Sequence, residues 1–174
     1  RGITDSGSDV WDIGLATIPM VYFATVHLES DASVQITASH NPAEYNGLKI
    51  SRTKALPVGS ATGLKELEAM VNNETIVVAK EKGSILKKDA KTPYLAFLKQ
   101  FAPDTSNLDI SLDLSHGMAN LLAKDVLGEH HHYLYDHFDG TFPAHEPNPL
   151  EEENCKDLME AVIANKSDIG VIFD

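Results

Sequence analysis

Strand-like stretches alternate with helical ones along this chain, and that alternation limits the folds open to it. Leu108 to Leu114, His131 to Tyr135 and Ile169 to Phe173 read as strands. Between them, Gly117 to Gly128 and Leu150 to Asn165 carry apolar residues at helical spacing, with Met118, Leu121, Leu122 and Val126 inward in the first and Leu150, Leu158, Ala161 and Val162 sharing a face in the second. Thr92-Pro93 opens a further helix with Leu95, Leu98 and Phe101 in register, closed at Ala102-Pro103. Strands separated by helices imply crossover connections and a largely parallel sheet. Ile169 to Phe173 is apolar enough to predict a strand buried on both sides.

The first half shows the same alternation but starts abruptly. A short strand is expected over Asp9 to Ile13, and a helix from Thr17 to about His27 with Thr17 as cap, Pro19 in its first turn and Met20, Phe23 and Ala24 on one side. A strand from Val34 ends near Ser39, and Leu48 to Ser51 forms another. Ser60 to Asn73 reads as a helix with Leu64, Leu67 and Val71 at helical spacing and Met70 beside them. The stretch from Glu74 to Lys91 lacks a sustained pattern and holds the expected domain boundary. The fold class is therefore α/β: two small three-layer α/β/α domains with mixed, largely parallel sheets, residues 1–88 and 89–174, the first domain incomplete.

Charge narrows the partners. Fourteen Lys and Arg stand against 26 Asp and Glu, a net charge of −12. A chain this acidic repels nucleic acid and anionic membrane, and no apolar run approaches the ~20 residues that span a bilayer. Cys155 is the sole cysteine, so no intrachain disulfide forms, which fits a reducing, cytoplasmic setting. It reads as a packed thiol. His130, His131 and His132 are adjacent, so at most two share a strand face, and they read as a strand edge rather than a metal site. His137 and His145 are loop histidines without ligand spacing. Glu151, Glu152 and Glu153 favour a helix N-terminus through its dipole.

The chemistry gathers at Val34 to Ile50, V-Q-I-T-A-S-H-N-P-A-E-Y-N-G-L-K-I. A strand gives way at Ser39 to two turn signals, Asn41-Pro42 and Asn46-Gly47. Loops at the carboxyl ends of strands are where open α/β sheets bind ligands. A hydroxyl there, with His40, Asn41 and Lys49 close in sequence, suits an anion such as phosphate. Read without further context, Ser-His-Asn-Pro is usually just a polar turn.

The run T-A-S-H-N-P-A-E-Y-N-G-L-K closely resembles the active-site signature of the α-D-phosphohexomutases, especially the phosphomannomutase/phosphoglucomutase branch. D-G-T-F-P-A-H-E-P-N-P-L-E-E-E-N resembles a loop and helix start of that family's second domain, and S-D-I-G-V-I-F-D the strand entering its metal loop. The resemblance implies that Ser39 carries the transferable phosphoryl group. It implies that Lys49 helps to move the sugar hydroxyl's proton and contacts substrate, and that His40 and Asn41 help to bind or orient phosphate. It implies Mg²⁺ on Ser39 and on Asp174, the first of three family aspartates. The implied substrates are glucose or mannose phosphates, interconverted between 1- and 6-phosphate through a bisphosphorylated sugar. D-L-S-H-G at Asp113 to Gly117 departs from a turn that is more glycine-rich in the family. Complete members have four domains, so this chain alone is expected to show little mutase activity, and the remainder of a mutase chain or self-association is the expected partner. The alternative expectation is a non-catalytic interaction module that keeps the fold.

Overall fold

The computed structural model describes residues 1–39, 41, 42, 44–73 and 78–174. The chain forms two compact units: residues Arg1–Gln35 with Lys49–Pro93, and residues Ile36–Leu48 with Tyr94–Asp174. In chain order the elements are α1 (Gly2–Asp5), β1 (Val10–Asp12), α2 (Ile18–His27), β2 (Ala32–Ile36), β3 (Leu48–Arg52), β4 (Leu56–Pro57), α3 (Lys65–Asn72), β5 (Ile85–Lys87), α4 (Lys91–Leu98), β6 (Ile110–Asp113), α5 (Ala123–Leu127), β7 (His132–Leu134), α6 (Lys156–Asn165) and β8 (Ile169–Ile172). The mixed, mostly parallel sheets match the expected fold class.

In the first unit β1 pairs in parallel with β5, and β2, β3 and β4 form a second sheet in that order, β3 and β4 antiparallel. Helix α2 starts as the sequence predicts: the Thr17 hydroxyl accepts from the Met20 amide at 3.3 Å, and proline sits in the first turn. Met20, Val21, Ala24 and Thr25 are buried, so the inward face is wider than the predicted one, and Phe23 is half-buried. Helix α3 begins at Lys65 rather than at Ser60, because Thr62 and Gly63 leave helical geometry, Gly63 at φ 132°. Its stripe of Leu67, Met70 and Val71, with Leu64 just before it, is exposed in this structure.

The second unit is a parallel sheet of order β7-β6-β8. Its centre is β6, buried at every position. One face carries Ile110 and Leu112, which join Leu114 and Ala123 in a core lined by Ala119, Leu127, Tyr133, Val171 and Phe173. The opposite face is polar and satisfied: the Ser111 hydroxyl shares a hydrogen bond with that of Ser167 at 2.8 Å and accepts from the Asn165 amide at 3.3 Å. Here β8 is an edge strand, with Ile169 exposed, and the strand buried at every position is instead β6. Helix α6 lies close on β8 because Gly170 leaves room: a Cβ there would stand 2.7 Å from the Val162 side chain and 3.2 Å from that of Leu158.

Two predicted helices are interrupted. Met118–Leu121 is a 3-10 turn, and Leu122 at φ −135° breaks the path before α5. Glu152–Cys155 is likewise a 3-10 turn ahead of α6, leaving Leu150 exposed, and Glu153 pairs with Lys156 at 2.6 Å. In α4 the buried residue is Tyr94, with Leu95 and Leu98 half-buried and Phe101 exposed. The Asp89 carboxylate starts that helix by accepting from the Thr92 amide at 3.1 Å.

Candidate active site

The signature loop is a ring closed at its neck. The Thr37 amide donates to the Gly47 carbonyl at 3.0 Å, and the Gly47 amide to the Asn46 side chain at 2.9 Å. Strand β2 therefore ends at Ile36, three residues before the predicted end, because the backbone turns away at Thr37 to close this ring. The Thr37 hydroxyl accepts from the Ser39 amide at 3.0 Å, and the Asn41 side-chain amide donates to the Ala38 carbonyl at 2.6 Å. Both bonds belong to the kind of side-chain turn that Thr and Asn favour. They hold Ser39 at φ 56°, a left-handed conformation that costs a non-glycine residue about 1–2 kcal/mol. Ser39 is exposed at this bend. Asn41 thus has a structural task within the loop. Lys49 is half-buried on β3, grouped with the first unit. His40 lies outside the described residues.

The second centre forms at the carboxyl end of the parallel sheet. From β6 the chain crosses to β7 on one side and then to β8 on the other, so the strand order reverses between β6 and β8. Ligand crevices of open α/β sheets lie outside such a reversal. The segments leaving it are Leu114 to Gly117 and Phe173-Asp174, and Asp174 is exposed.

A buried polar relay underlies this mouth. Asp113 is 0% exposed and Ser115 1%. One Asp113 carboxylate oxygen accepts from the Ser115 amide at 2.8 Å; the other faces His145 Nε2 at 3.0 Å. His145 Nδ1 lies 2.8 Å from the Glu146 carbonyl. Both ring nitrogens thus face acceptors, which fixes the orientation of the ring. The Ser115 hydroxyl donates to the Phe173 carbonyl at 2.6 Å. Serine, histidine and aspartate are the residue types of a hydrolase triad, but here the aspartate stands between the other two and the serine is sealed from solvent. The arrangement fixes backbone and offers no nucleophile.

Sequence reasoning passed over this relay. His145 carried no ligand spacing, and its partner is 32 residues away. The one available hint was a carboxylate, Asp113, at the end of an otherwise buried strand. The D-G-T-F-P-A-H-E-P-N-P segment is accordingly a pinned loop: Asp139 accepts from the Thr141 amide at 2.9 Å, His145 anchors its middle, and the Asn154 side chain donates to the Asn148 carbonyl at 2.9 Å. The Thr141 hydroxyl and amide hold the Asp139 carboxyl below its usual range.

Around the relay, His116 packs on Tyr135 and His137 with ring centroids 4.9 and 4.4 Å apart. The Tyr135 hydroxyl donates to Asp157, which pushes its pKa up to about 12, with burial adding to the effect. The unfolded phenol ionises near 10.0. Between these values the unfolded chain holds fewer protons than the folded one, so this contact stabilises fully below the unfolded value and fades as pH rises toward the folded one. Tyr135→Phe is expected to flatten the alkaline limb of stability, read as the urea midpoint between about pH 9 and pH 12. An unchanged alkaline slope would count against that assignment.

Within the histidine run His131 is buried and His130 and His132 are exposed. His131 is buried with Nε2 3.1 Å from the Thr105 hydroxyl, and burial, with His130 beside it, pushes its pKa down. The His130 ring lies tilted against it with centroids 3.8 Å apart, and His132 meets Asp109 at 3.0 Å. The Cys155 thiol lies 3.6 Å from the Pro149 carbonyl.

Among the described residues no three His, Cys, Asp or Glu side chains converge as a metal group. Ser39 and Asp174 bring one hydroxyl and one carboxylate, too few for a hard cation that takes several oxygens. The described residues do not by themselves fit Mg²⁺.

Residues 1–77 match the phosphoglucomutase/phosphomannomutase alpha/beta/alpha domain I, and residues 92–174 match domain II. The chain belongs to the phosphoglucomutase/phosphomannomutase family. Within that family it is 35% identical to a phosphoglucomutase of Neisseria gonorrhoeae over 177 aligned residues, covering 100% of this chain and 38% of the relative. It is 33% identical to a phosphomannomutase of Escherichia coli, covering 100% of this chain and 41% of the relative. The crystal structure of a phosphoglucomutase/phosphomannomutase family protein from Burkholderia thailandensis superposes with a TM-score of 0.81 at 28% identity, over 96% of this chain and 38% of that one. The chain thus spans 38 to 41% of the length of these relatives. The family resemblance read from the signature is correct. Among the described residues no helix is long and apolar enough to cross a membrane.

Proposed function

We propose that the protein to which these two domains belong is a phosphohexomutase that interconverts hexose 1-phosphate and hexose 6-phosphate, with Ser39 as phosphoryl carrier. The observation that carries this reading is the exposed, left-handed Ser39, held by Thr37 and Asn41 at the carboxyl end of a strand. Strained backbone of this kind concentrates at functional sites. The bond from phosphorus to Ser39 Oγ breaks as a bond to a sugar hydroxyl oxygen forms, giving a bisphosphorylated sugar. The hydroxyl proton leaves by way of Lys49 while the departing Ser39 Oγ takes up a proton in exchange, and the returning transfer, with the protons moving the other way, phosphorylates serine again. His40 and Asn41 are assigned to the phosphate and to the loop that presents it.

Glucose and mannose phosphates are the proposed substrates, and the acidic, single-cysteine chain suits a reducing cytoplasm. Mg²⁺ belongs to the family expectation, with Asp174 offering one oxygen. Since the described residues do not complete a metal site, no step here is routed through it.

The test uses the full-length protein. Phosphopeptide mapping is expected to place phosphate on Ser39, and a coupled assay to show conversion of glucose 1-phosphate and mannose 1-phosphate. An unmodified Ser39 together with no conversion of either sugar overturns the reading.

A further inference from the structure

We propose that Asn46 is a site of spontaneous covalent modification, its carboxamide turned into a carboxylate by attack of the Gly47 backbone nitrogen, and that this conversion opens the neck of the loop that carries Ser39. Asn46 is the one asparagine of the sequence that glycine follows. Its side chain is folded back on the residue after it: the Gly47 amide donates to Asn46 Oδ1 at 2.9 Å. The carbon to be attacked is bonded to that same oxygen, so nucleophile and electrophile are already neighbours, as a near-attack arrangement requires. Glycine at 47 puts no side chain in the way, and both residues are exposed, so water reaches the site.

The Gly47 nitrogen gives up its proton to water and bonds to Asn46 Cγ. The bond from Cγ to the side-chain nitrogen breaks, and ammonia leaves with a proton taken from water. Water then opens the cyclic imide that results. Opening at Cγ restores the main chain and leaves aspartate. Opening at the main-chain carbonyl of residue 46 leaves isoaspartate, whose main chain runs through Cβ and Cγ. Either way a neutral amide becomes a carboxylate on the ring that presents Ser39. Isoaspartate also lengthens the chain just before Gly47, whose carbonyl closes the neck by accepting from the Thr37 amide at 3.0 Å. That neck is tight: a Cβ at Gly47 would stand 3.3 Å from the Thr37 carbonyl. The Thr37 hydroxyl in turn accepts from the Ser39 amide at 3.0 Å, so a change at Gly47 reaches the serine through one residue.

The test incubates the full-length protein in mildly alkaline buffer, native and in urea, and maps the peptide that holds Asn46 and Gly47 for the mass shift from amide to acid and for isoaspartate. The native protein is expected to lose the Asn46 carboxamide no more than about threefold more slowly than the unfolded chain, because the loop holds the reacting groups together. A slower native rate overturns the proposal, since the loop would then be shielding the asparagine. Hydrogen exchange at the Thr37 amide is expected to quicken about tenfold in the converted protein, and unchanged exchange overturns the opening of the neck. Asn46→Gln, whose further methylene disfavours ring closure, is expected to stay unconverted and to hold its starting activity, while the wild type loses hexose phosphate conversion in step with the carboxamide. Converted protein within about twofold of the fresh activity overturns the link to Ser39. This activity comparison rests on the mutase reading. If the fresh wild-type protein converts no hexose phosphate, that reading fails instead, and the mass and exchange measurements still decide the modification.

Discussion

Ser39→Ala is expected to abolish hexose phosphate interconversion in the full-length protein, by about 1000-fold or more, while leaving the fold intact. That loss corresponds to about 4 kcal/mol of transition-state stabilisation. The reasoning is chemical on one side and structural on the other. A mechanism that stores the phosphoryl group on a serine oxygen has no bypass when that oxygen is missing. The loop, by contrast, is closed by bonds that do not use the Ser39 side chain: Thr37 to Gly47, the Ser39 amide to Thr37, and Asn41 to Ala38. Alanine accepts the same backbone at a similar penalty, and the position is exposed, so the protein is expected to stay folded. Intact mass, a thermal melt and the coupled assay read the three quantities separately. Activity within tenfold of wild type, or phosphate on another residue, would sink the assignment of Ser39.

The second large effect concerns the pair beneath the sheet mouth. Removing His145 leaves the Asp113 carboxylate fully buried without the ring that faces it, and stranding a buried charge in this way costs about 3–5 kcal/mol. His145→Ala and Asp113→Ala are each expected to lose stability on that scale. Asp113→Ala also strips the Ser115 amide of its acceptor. The double variant should be less damaging than the sum, because neither partner is then stranded, with a coupling of about 2 kcal/mol. Urea unfolding of the four proteins, followed on the second unit, checks this. A cost below about 1 kcal/mol for His145→Ala would show that water already satisfies Asp113.

Local signals were read well from the sequence and distant contacts were not. Thr17 and Pro19 marked the start of α2 because a cap acts within three residues. Ile110 and Leu112 marked β6 because a strand with one apolar face alternates apolar and polar residues. The periodicity of Gly117 to Gly128 suggested one helix, yet Leu122 leaves helical geometry there, since spacing reports which residues face inward and not whether the backbone is continuous. Leu67 and Val71 have helical spacing and are still exposed, because periodicity does not say what a face packs against. The signature loop was visible as turn chemistry around Ser39. The relay from His145 through Asp113 and Ser115 to Phe173 was not, because its links span 32 and 58 residues and no local rule connects them.

The handedness of the backbone at Ser39 also bears on which alcohol the loop can carry. Threonine offers the same oxygen on a secondary carbon, but a β-branched side chain is disfavoured at φ 56°. A secondary alcohol would first have to unwind the bend that Thr37 and Asn41 hold. The choice between the two hydroxyl residues at this position is thus made by stereochemistry before reactivity enters, and it falls on the primary alcohol.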